Sequence, residues 1–163
     1  MDGNPYAPPT AAVADLAPVG LERRGILVMI ALTLVTLGLY YPIWFLRRLD
    51  ALNDLHSRMK LPRWPFVVAL AAFVVELIVD VADGLGGGSL IGRGPATFLT
   101  VVRLAFSLLL LLHCYLVKDI LEDHLATFGK SVKLSRAMIF FFQIYYLQYV
   151  INRDVVGSSA TAA

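Results

Sequence analysis

The chain has 163 residues, of which 58% are hydrophobic and 16% are charged, and its mean hydropathy is +0.72. Soluble globular domains contain about 45–50% apolar residues, so this composition excludes an ordinary water-soluble domain. A formal net charge of +2 is too small to indicate a nucleic-acid-binding protein.

The two ends of the chain differ in composition from its apolar middle. Residues 1–20 contain four prolines among small residues, and such a segment buries too little apolar surface to offset its ordering entropy. We therefore predict a flexible tail over residues 1–20, a membrane domain over 21–153 and a second flexible tail over 154–163.

The first predicted membrane span covers residues 25–46. It carries no charge and is flanked by two pairs of arginines, and about 20 apolar residues suffice to cross the hydrocarbon layer. Aromatic rings favour the headgroup level, and they collect at the end of this span and just before the next one. The predicted interfacial aromatic anchors are Tyr40, Tyr41, Trp44 and Trp64.

An amphipathic helix over residues 46–60 is predicted to follow and to lie along the cytoplasmic surface. Its apolar residues recur at steps of three and four among charged ones. The basic residues of this region are predicted to bind anionic lipid headgroups, and they are Arg47, Arg48, Arg58, Lys60 and Arg63.

Three more spans are predicted over residues 65–83, 96–117 and 137–152. A second charged, partly amphipathic segment follows over 118–134, and Gly129 is predicted to end a surface helix within it. The last apolar segment has only sixteen residues, so a re-entrant piece and a surface-packed helix remain alternatives to a short span. The fold class is thus an all-α integral membrane protein, a four-helix transmembrane bundle with short amphipathic cytoplasmic helices.

Two sequence segments resemble a known family. The segment TLGLYYPIWF at 36–45 and the segment IYYLQYVIN at 144–152 resemble the bacterial multi-pass membrane family catalogued as domain of unknown function 4234. The resemblance covers roughly residues 20–153. It implies a compact multi-pass protein and assigns neither an activity nor a catalytic residue.

Charged side chains inside the second and third spans form the candidate polar site. Glu76, Asp80 and Asp83 share one helix face, because they are four and three residues apart. An acid at the centre of a bilayer costs about 2.5–3.5 kcal/mol, so this face needs a partner. Arg103 lies at the same depth in an antiparallel neighbour, and we expect it to pair with Glu76 or Asp80, either as a structural ion pair or as part of a proton or ion path.

No catalytic or metal-binding motif is recognisable. His113 and His124 are interpreted as a packed and a solvated side chain, and Cys114 as an apolar packing residue. Uncharged polar residues in the spans are predicted to hydrogen-bond between helices, and they are Thr33, Thr36, Gln143, Gln148 and Asn152. We predict no enzyme activity, no metal and no cofactor.

The function predicted from these features is a non-enzymatic membrane scaffold or accessory subunit that acts through helix packing. The alternative is a small oligomeric channel or transporter with a polar path at Glu76, Asp80 and Arg103. The expected partners are anionic membrane lipids and either further copies of the chain or a larger membrane complex, without nucleic acid.

The predicted location is the cell inner membrane, crossed several times. Nine Lys and Arg residues fall in the connections between spans one and two and between spans three and four. By the positive-inside rule these basic loops face the cytoplasm, and both termini are expected on the opposite side.

Overall fold

The structure, a computed structural model, describes residues 21–86 and 93–156. In chain order the elements are α1 (Ile26–Val35), α2 (Tyr40–Asn53), α3 (Trp64–Gly86), α4 (Arg93–Thr127), α5 (Arg136–Val150) and a terminal π-helix (Ile151–Val155). These ranges contain no β-strand. The all-α prediction is therefore confirmed for the described part of the chain.

Two helices, α3 and α4, are long and apolar enough to cross a membrane. Their apolar stretches have 22 and 31 residues, against about 20 needed for the hydrocarbon layer. Only 17% and 22% of the residues in their most apolar windows are buried, unlike the core helix of a soluble domain. The predicted break between the third span and a separate helix over 118–134 is wrong, because α4 runs without interruption to Thr127.

The predicted first span is broken in its middle. α1 ends at Val35, and two residues with positive φ, Leu37 at 49° and Gly38 at 94°, separate it from α2. The amide of Gly38 donates to Thr33 O at 2.8 Å and the amide of Leu37 donates to Leu34 O at 3.2 Å. These bonds close the carboxyl end of α1 as a Schellman motif does, with a leucine at the position that glycine usually takes.

One buried glutamine shows that α2 folds back alongside α1. The side chain of Gln148 accepts a hydrogen bond from Trp44 Nε1 at 3.1 Å and donates one to Glu22 O at 3.4 Å. An unbroken helix would separate residues 22 and 44 by about 33 Å along its axis, far beyond the reach of one side chain. The prediction of a single span over 25–46 is therefore wrong, and we call α1 and α2 the first hairpin.

The last apolar segment bends back in the same way. Gln143 has φ 43° and ψ −121° in the middle of α5. The amide of Ser135 donates to Tyr146 Oη at 3.4 Å, although these residues would lie about 16 Å apart along a straight helix. We call α5 with its π-helix the second hairpin; of the three alternatives for residues 137–152, this shape agrees with a re-entrant piece.

Both ends of the described chain lie beside the loop between α4 and α5. Lys130 Nζ in that loop donates to Asp154 O at 3.5 Å. The Asn152 side chain forms two hydrogen bonds with the main chain of Arg24, donating to its carbonyl at 2.7 Å and accepting from its amide at 3.3 Å. The expectation that the termini lie opposite the loops is thus wrong for these residues. Asp154 also belongs to the π-helix, so the predicted tail does not start there; residues 1–20 and 157–163 lie outside the described residues.

The packed core occupies one half of the molecule. Phe45 stacks on Phe66 with ring centroids 4.6 Å apart, and Phe66 contacts His113 at 4.9 Å, so the first hairpin packs against one end of both long helices. Among the described side chains, none between Leu70 and Leu109 is buried. The long helices therefore extend beyond the core with their apolar side chains uncovered.

The aromatic residues of the first hairpin belong to this core. Tyr40 and Trp44 are 4% and 0% exposed, so the prediction that these two side chains anchor the protein at the headgroup level is wrong. Tyr41 is half-buried, and its hydroxyl lies 3.2 Å from Cys114 Sγ. Trp64, at the start of α3, is 65% exposed, so its role as an interfacial anchor stays a prediction. Aromatic residues pack in the core here because the fold-back places them against α3 and α4.

Of the two connections near the core, one lacks the end of its predicted surface helix and the other ends its helix where predicted. The helix predicted over 46–60 ends at Asn53, whose side chain donates to Leu61 O at 3.0 Å and accepts from Leu61 N at 2.7 Å. This pairing closes an irregular loop instead of a helix. The predicted stop at Gly129 is confirmed, since its φ is 74° and Lys130 N donates to Leu125 O at 3.0 Å.

Candidate solute cavity

A cavity of about 610 Å³ lies where the tips of both hairpins meet α3 and α4. Its polar walls come from five helices, α1 to α5. The lining residues are Thr33, Leu37, Gly38, Tyr41, Phe73, Glu76, Leu77, Asp80, Val81, Arg103, Ser107, Leu110 and Gln143. We call this space the solute cavity.

Three of the four charged residues predicted to form a polar cluster line the solute cavity. Arg103 Nη1 lies 3.4 Å from Glu76 Oε1, so the contact expected from equal depth in two antiparallel helices is present. Asp80 lines the cavity one helical turn beyond Glu76, while Asp83 lies outside its walls. The side chain of Glu76 is 14% exposed and that of Arg103 is 56% exposed, so the pair faces open space on the arginine side.

The breaks in both hairpins open onto the same cavity. The described residues with positive φ are Leu37, Gly38, Gln143 and Gly129, and the first three line the solute cavity. A leucine or glutamine in this region of φ is strained, and such strain tends to collect at functional sites. The composition of the two apolar segments gave no sign that their tips would meet.

Hydroxyl groups join the hairpins next to the cavity. Tyr145 Oη donates to Thr33 Oγ1 at 2.8 Å, and Thr33 Oγ1 donates to Met29 O at 2.9 Å. This bond, with those of Gln148 and Asn152, confirms the predicted connection between separate elements for three of the five residues. Among the described hydrogen bonds, none joins Gln143 to another element. Thr36 instead bonds locally, donating to Leu32 O at 2.7 Å and accepting from Tyr40 N at 2.9 Å.

The charge of the cavity walls limits what the cavity can bind. Two carboxylates and one guanidinium leave an excess of one negative charge. Such walls suit a small cation, or a zwitterion whose carboxylate meets Arg103 and whose ammonium group meets Asp80. Among the described residues, no group of three His, Cys, Asp or Glu side chains could hold a metal ion.

The residues predicted to bind lipid headgroups do not form one surface. Arg47, Arg58, Lys60 and Arg63 are exposed. Arg48 is only 3% exposed, its guanidinium carbon lies 5.1 Å from the Trp44 ring centroid, and its Nε has no hydrogen-bond partner. Burial lowers the pKa of Arg48 to about 10. Arg48 is therefore a core residue, and its assignment to a headgroup-binding set is wrong.

Sequence reasoning missed most of the uncharged cavity wall. Thr33 and Gln143 were noted only as hydrogen-bonding residues, and Ser107 gave no signal within an apolar helix. Gly38 was the one local sign of a break, because glycine readily adopts positive φ. The charged residues were found because charge is conspicuous in an apolar segment, whereas a backbone bend is not.

The profile of a family described as a domain of unknown function (DUF4234) matches residues 24–121. The matched part includes the segment at 36–45, and the segment at 144–152 lies beyond it. No curated protein and no solved structure shows a significant match to the chain. The contact between Trp44 and Gln148 nevertheless joins these two segments directly.

Proposed function

The chain belongs to the DUF4234 family, and from this premise we propose that it is a multi-pass membrane protein that binds a small cation or zwitterion in the solute cavity and lets it cross. The proposed activity is passage without catalysis. The observation that carries the proposal is the meeting of two backbone breaks with Glu76, Asp80 and Arg103 in one cavity.

In the proposed arrangement α3 and α4 cross the bilayer and both hairpins enter it from one side. α1 has ten residues, about 15 Å of helix, which is half of the hydrocarbon thickness of about 30 Å. Non-helical backbone at membrane depth is tolerated where it is buried or lines a water-filled cavity. Many transporters likewise build their solute sites from interrupted helices near the bilayer midplane.

The distribution of basic residues supports an orientation for this arrangement. Of the fourteen Lys and Arg residues, only Arg93 and Arg103 lie in the part of the chain that extends away from the core. The positive-inside rule then assigns the core end to the cytoplasm, together with the loops on either side of the α3 and α4 pair. Residues 22–24 and 152–154 share that side, which reverses the expected placement of the termini.

The energetics of Asp80 favour a hydrated cavity. Its side chain is exposed on α3, and a charged group at the centre of a bilayer costs about 2.5–3.5 kcal/mol on the insertion scale. Water or a cationic solute in the cavity lowers this cost, because the carboxylate then keeps polar partners. Asp80 is thus the residue we assign to meet the positive charge of the solute.

Cysteine accessibility tests the proposal. Ser107 lines the cavity, and in a Cys114→Ser background the Ser107→Cys variant is treated with a cationic and an anionic methanethiosulfonate reagent of similar size. We expect faster reaction with the cationic reagent, and we expect Asp80→Asn to remove most of this preference. The control is Leu112→Cys. The Leu112 side chain is 56% exposed and lies outside the cavity, so in a bilayer we expect neither charged reagent to modify a cysteine there.

The same variants separate binding from passage. Proteoliposomes that contain the parent protein should take up radiolabelled methylammonium faster than empty liposomes, and Asp80→Asn should abolish the difference. A Ser107→Cys variant that reacts with neither reagent would mean that the cavity is dry, and the proposal would then be wrong.

A membrane scaffold or accessory subunit is the second candidate function. It is favoured by the uncovered apolar surface of α3 and α4 beyond the core, where Ile78, Leu85 and Phe98 are 62%, 86% and 65% exposed. Further copies of the chain or another membrane protein would cover this surface. A dry cavity together with a stable oligomer in mild detergent would favour this candidate over passage.

A further inference from the structure

A second cavity, of about 400 Å³, lies at the amino end of α1. Its walls are formed by Arg23, Arg24, Gly25, Tyr149, Asn152 and Arg153, and no acidic residue lines it. It is separate from the solute cavity, with which it shares no residue. Three arginines line this one open space, and the guanidinium group suits a phosphate because it presents several fixed N–H donors.

The main chain and one guanidinium of this cavity are held in place. Asn152 holds the main chain on both sides of the Arg24 Cα, accepting from the Arg24 amide and donating to the Arg24 carbonyl. Arg153 donates from Nε and Nη2 to both carboxylate oxygens of Asp154, at 2.8 and 2.7 Å, and stacks 5.2 Å from the Tyr149 ring centroid. Asp154 offsets one of the three positive charges, while Arg23 is exposed and forms none of the described side-chain hydrogen bonds.

The start of α1 adds uncapped backbone donors. Its N-cap residue is Gly25, which has no side chain to accept a hydrogen bond, and its first turn contains no acidic residue. The first helical bond runs from Met29 N to Gly25 O at 3.2 Å, so the amides before Met29 have no partner within the helix. Helix amino termini favour anions for this reason and because of the helix dipole.

We propose that this second cavity binds the phosphate of an anionic phospholipid headgroup, held by Arg23, Arg24 and the amino end of α1. The apolar face of α1 next to it supports a lipid as the source of the phosphate. Leu27 and Leu34 on that face are 82% and 70% exposed, so an acyl chain can lie along them. The proposal shares with the proposed function only the membrane location.

The test measures the thermal stability of the full chain in nanodiscs. Nanodiscs of phosphatidylcholine are compared with nanodiscs in which part of the lipid is phosphatidic acid, each with and without added inorganic phosphate. We expect phosphatidic acid to raise the melting temperature by about 5 °C, as for a ligand well above its dissociation constant. The double variant Arg23→Gln and Arg24→Gln should lose this rise and keep the melting temperature of the parent in phosphatidylcholine.

The control is the double variant Lys133→Gln and Arg136→Gln, which removes two exposed basic residues outside this cavity and should retain the rise. An equal loss in both double variants would overturn the site, because the effect would then reflect general surface charge. Equal stabilisation by inorganic phosphate in phosphatidylcholine would overturn the lipid source. Failure of the chain to enter nanodiscs would overturn the membrane location itself, whereas insertion without any lipid preference would overturn only the phosphate site.

Discussion

The fold-back of the first hairpin can be tested by removing the hydrogen bond between Trp44 and Gln148. The two substitutions are Gln148→Leu, which keeps a similar volume without polar atoms, and Trp44→Phe, which keeps an aromatic ring without the N–H donor. Both side chains are 0% exposed, so water cannot replace the lost partner. The variants are made singly and together in the full chain.

The expected magnitude follows from which groups lose their partners. Gln148→Leu leaves Trp44 Nε1 buried without an acceptor, and an unpaired buried donor costs about 1–3 kcal/mol. Glu22 is exposed and its carbonyl can bond to water, and Asn152 keeps its bonds to Arg24. We therefore expect Gln148→Leu to lower the free energy of unfolding by about 2 kcal/mol, nearly all of it through Trp44.

The assay is a double-mutant cycle on the free energy of unfolding, measured by titrating the protein from mild detergent into dodecyl sulfate. In the Trp44→Phe background no donor remains to be left unpaired, so Gln148→Leu should be milder by about 1–2 kcal/mol. A matched cycle pairs Gln148→Leu with Trp64→Phe, whose ring is 65% exposed, and should be additive. Additivity in both cycles would refute the fold-back, since a straight span keeps residues 22 and 44 too far apart to share one glutamine.

Three further predictions follow from the same architecture. Cysteines introduced at Glu22 and at Ser131 should be labelled from the same side of the membrane, and one introduced at Leu85, near the end of α3, from the other side. Labelling of the first two from opposite sides would instead support a four-span topology. Gly129→Ala should lower the free energy of unfolding by about 1 kcal/mol because φ is 74°, and Gly129→Asn by less, as thermal unfolding would show. Burial lowers the pKa of Arg48 to about 10, so burying its charged form opposes folding at every lower pH. Arg48→Met should therefore match or exceed the melting temperature of the parent at pH 7. A large loss of melting temperature would mean that the guanidinium has an essential partner.

Hydropathy predicted α3 and α4 because an apolar run of about 20 residues is compatible with few structures other than a membrane-spanning helix. Counting residues along two antiparallel helices also predicted that Glu76 and Arg103 would meet, because helical rise converts sequence distance into depth. The same reasoning failed for residues 25–46, since an uncharged apolar run is equally compatible with one span and with two half-length helices. What selects the hairpin is Gln148, more than a hundred residues away, and no local pattern encodes that contact.

The bends at Leu37 and Gln143 were beyond sequence reasoning for a different reason. Neither residue type favours positive φ, so local propensity argues against the conformations that the structure adopts there. Such bends persist only where surrounding contacts impose them, as the bond between Thr33 and Tyr145 does next to both tips. The solute cavity could therefore be predicted in its charges but not in its shape.

The bonds that Gln148 and Asn152 form with residues 22–24 and Trp44 impose an order on biosynthesis. The first hairpin leaves the ribosome early, yet the groups that hold it in place are among the last to be made. Until then the amino end of the apolar segment at 25–46 lacks these hydrogen-bond partners, although Phe45 at its other end can already pack on Phe66. A chain that stops before residue 136 would keep α3 and α4 but lose the hydrogen bonds of Gln148 and Asn152. We expect quality-control proteases to degrade its amino-terminal segment.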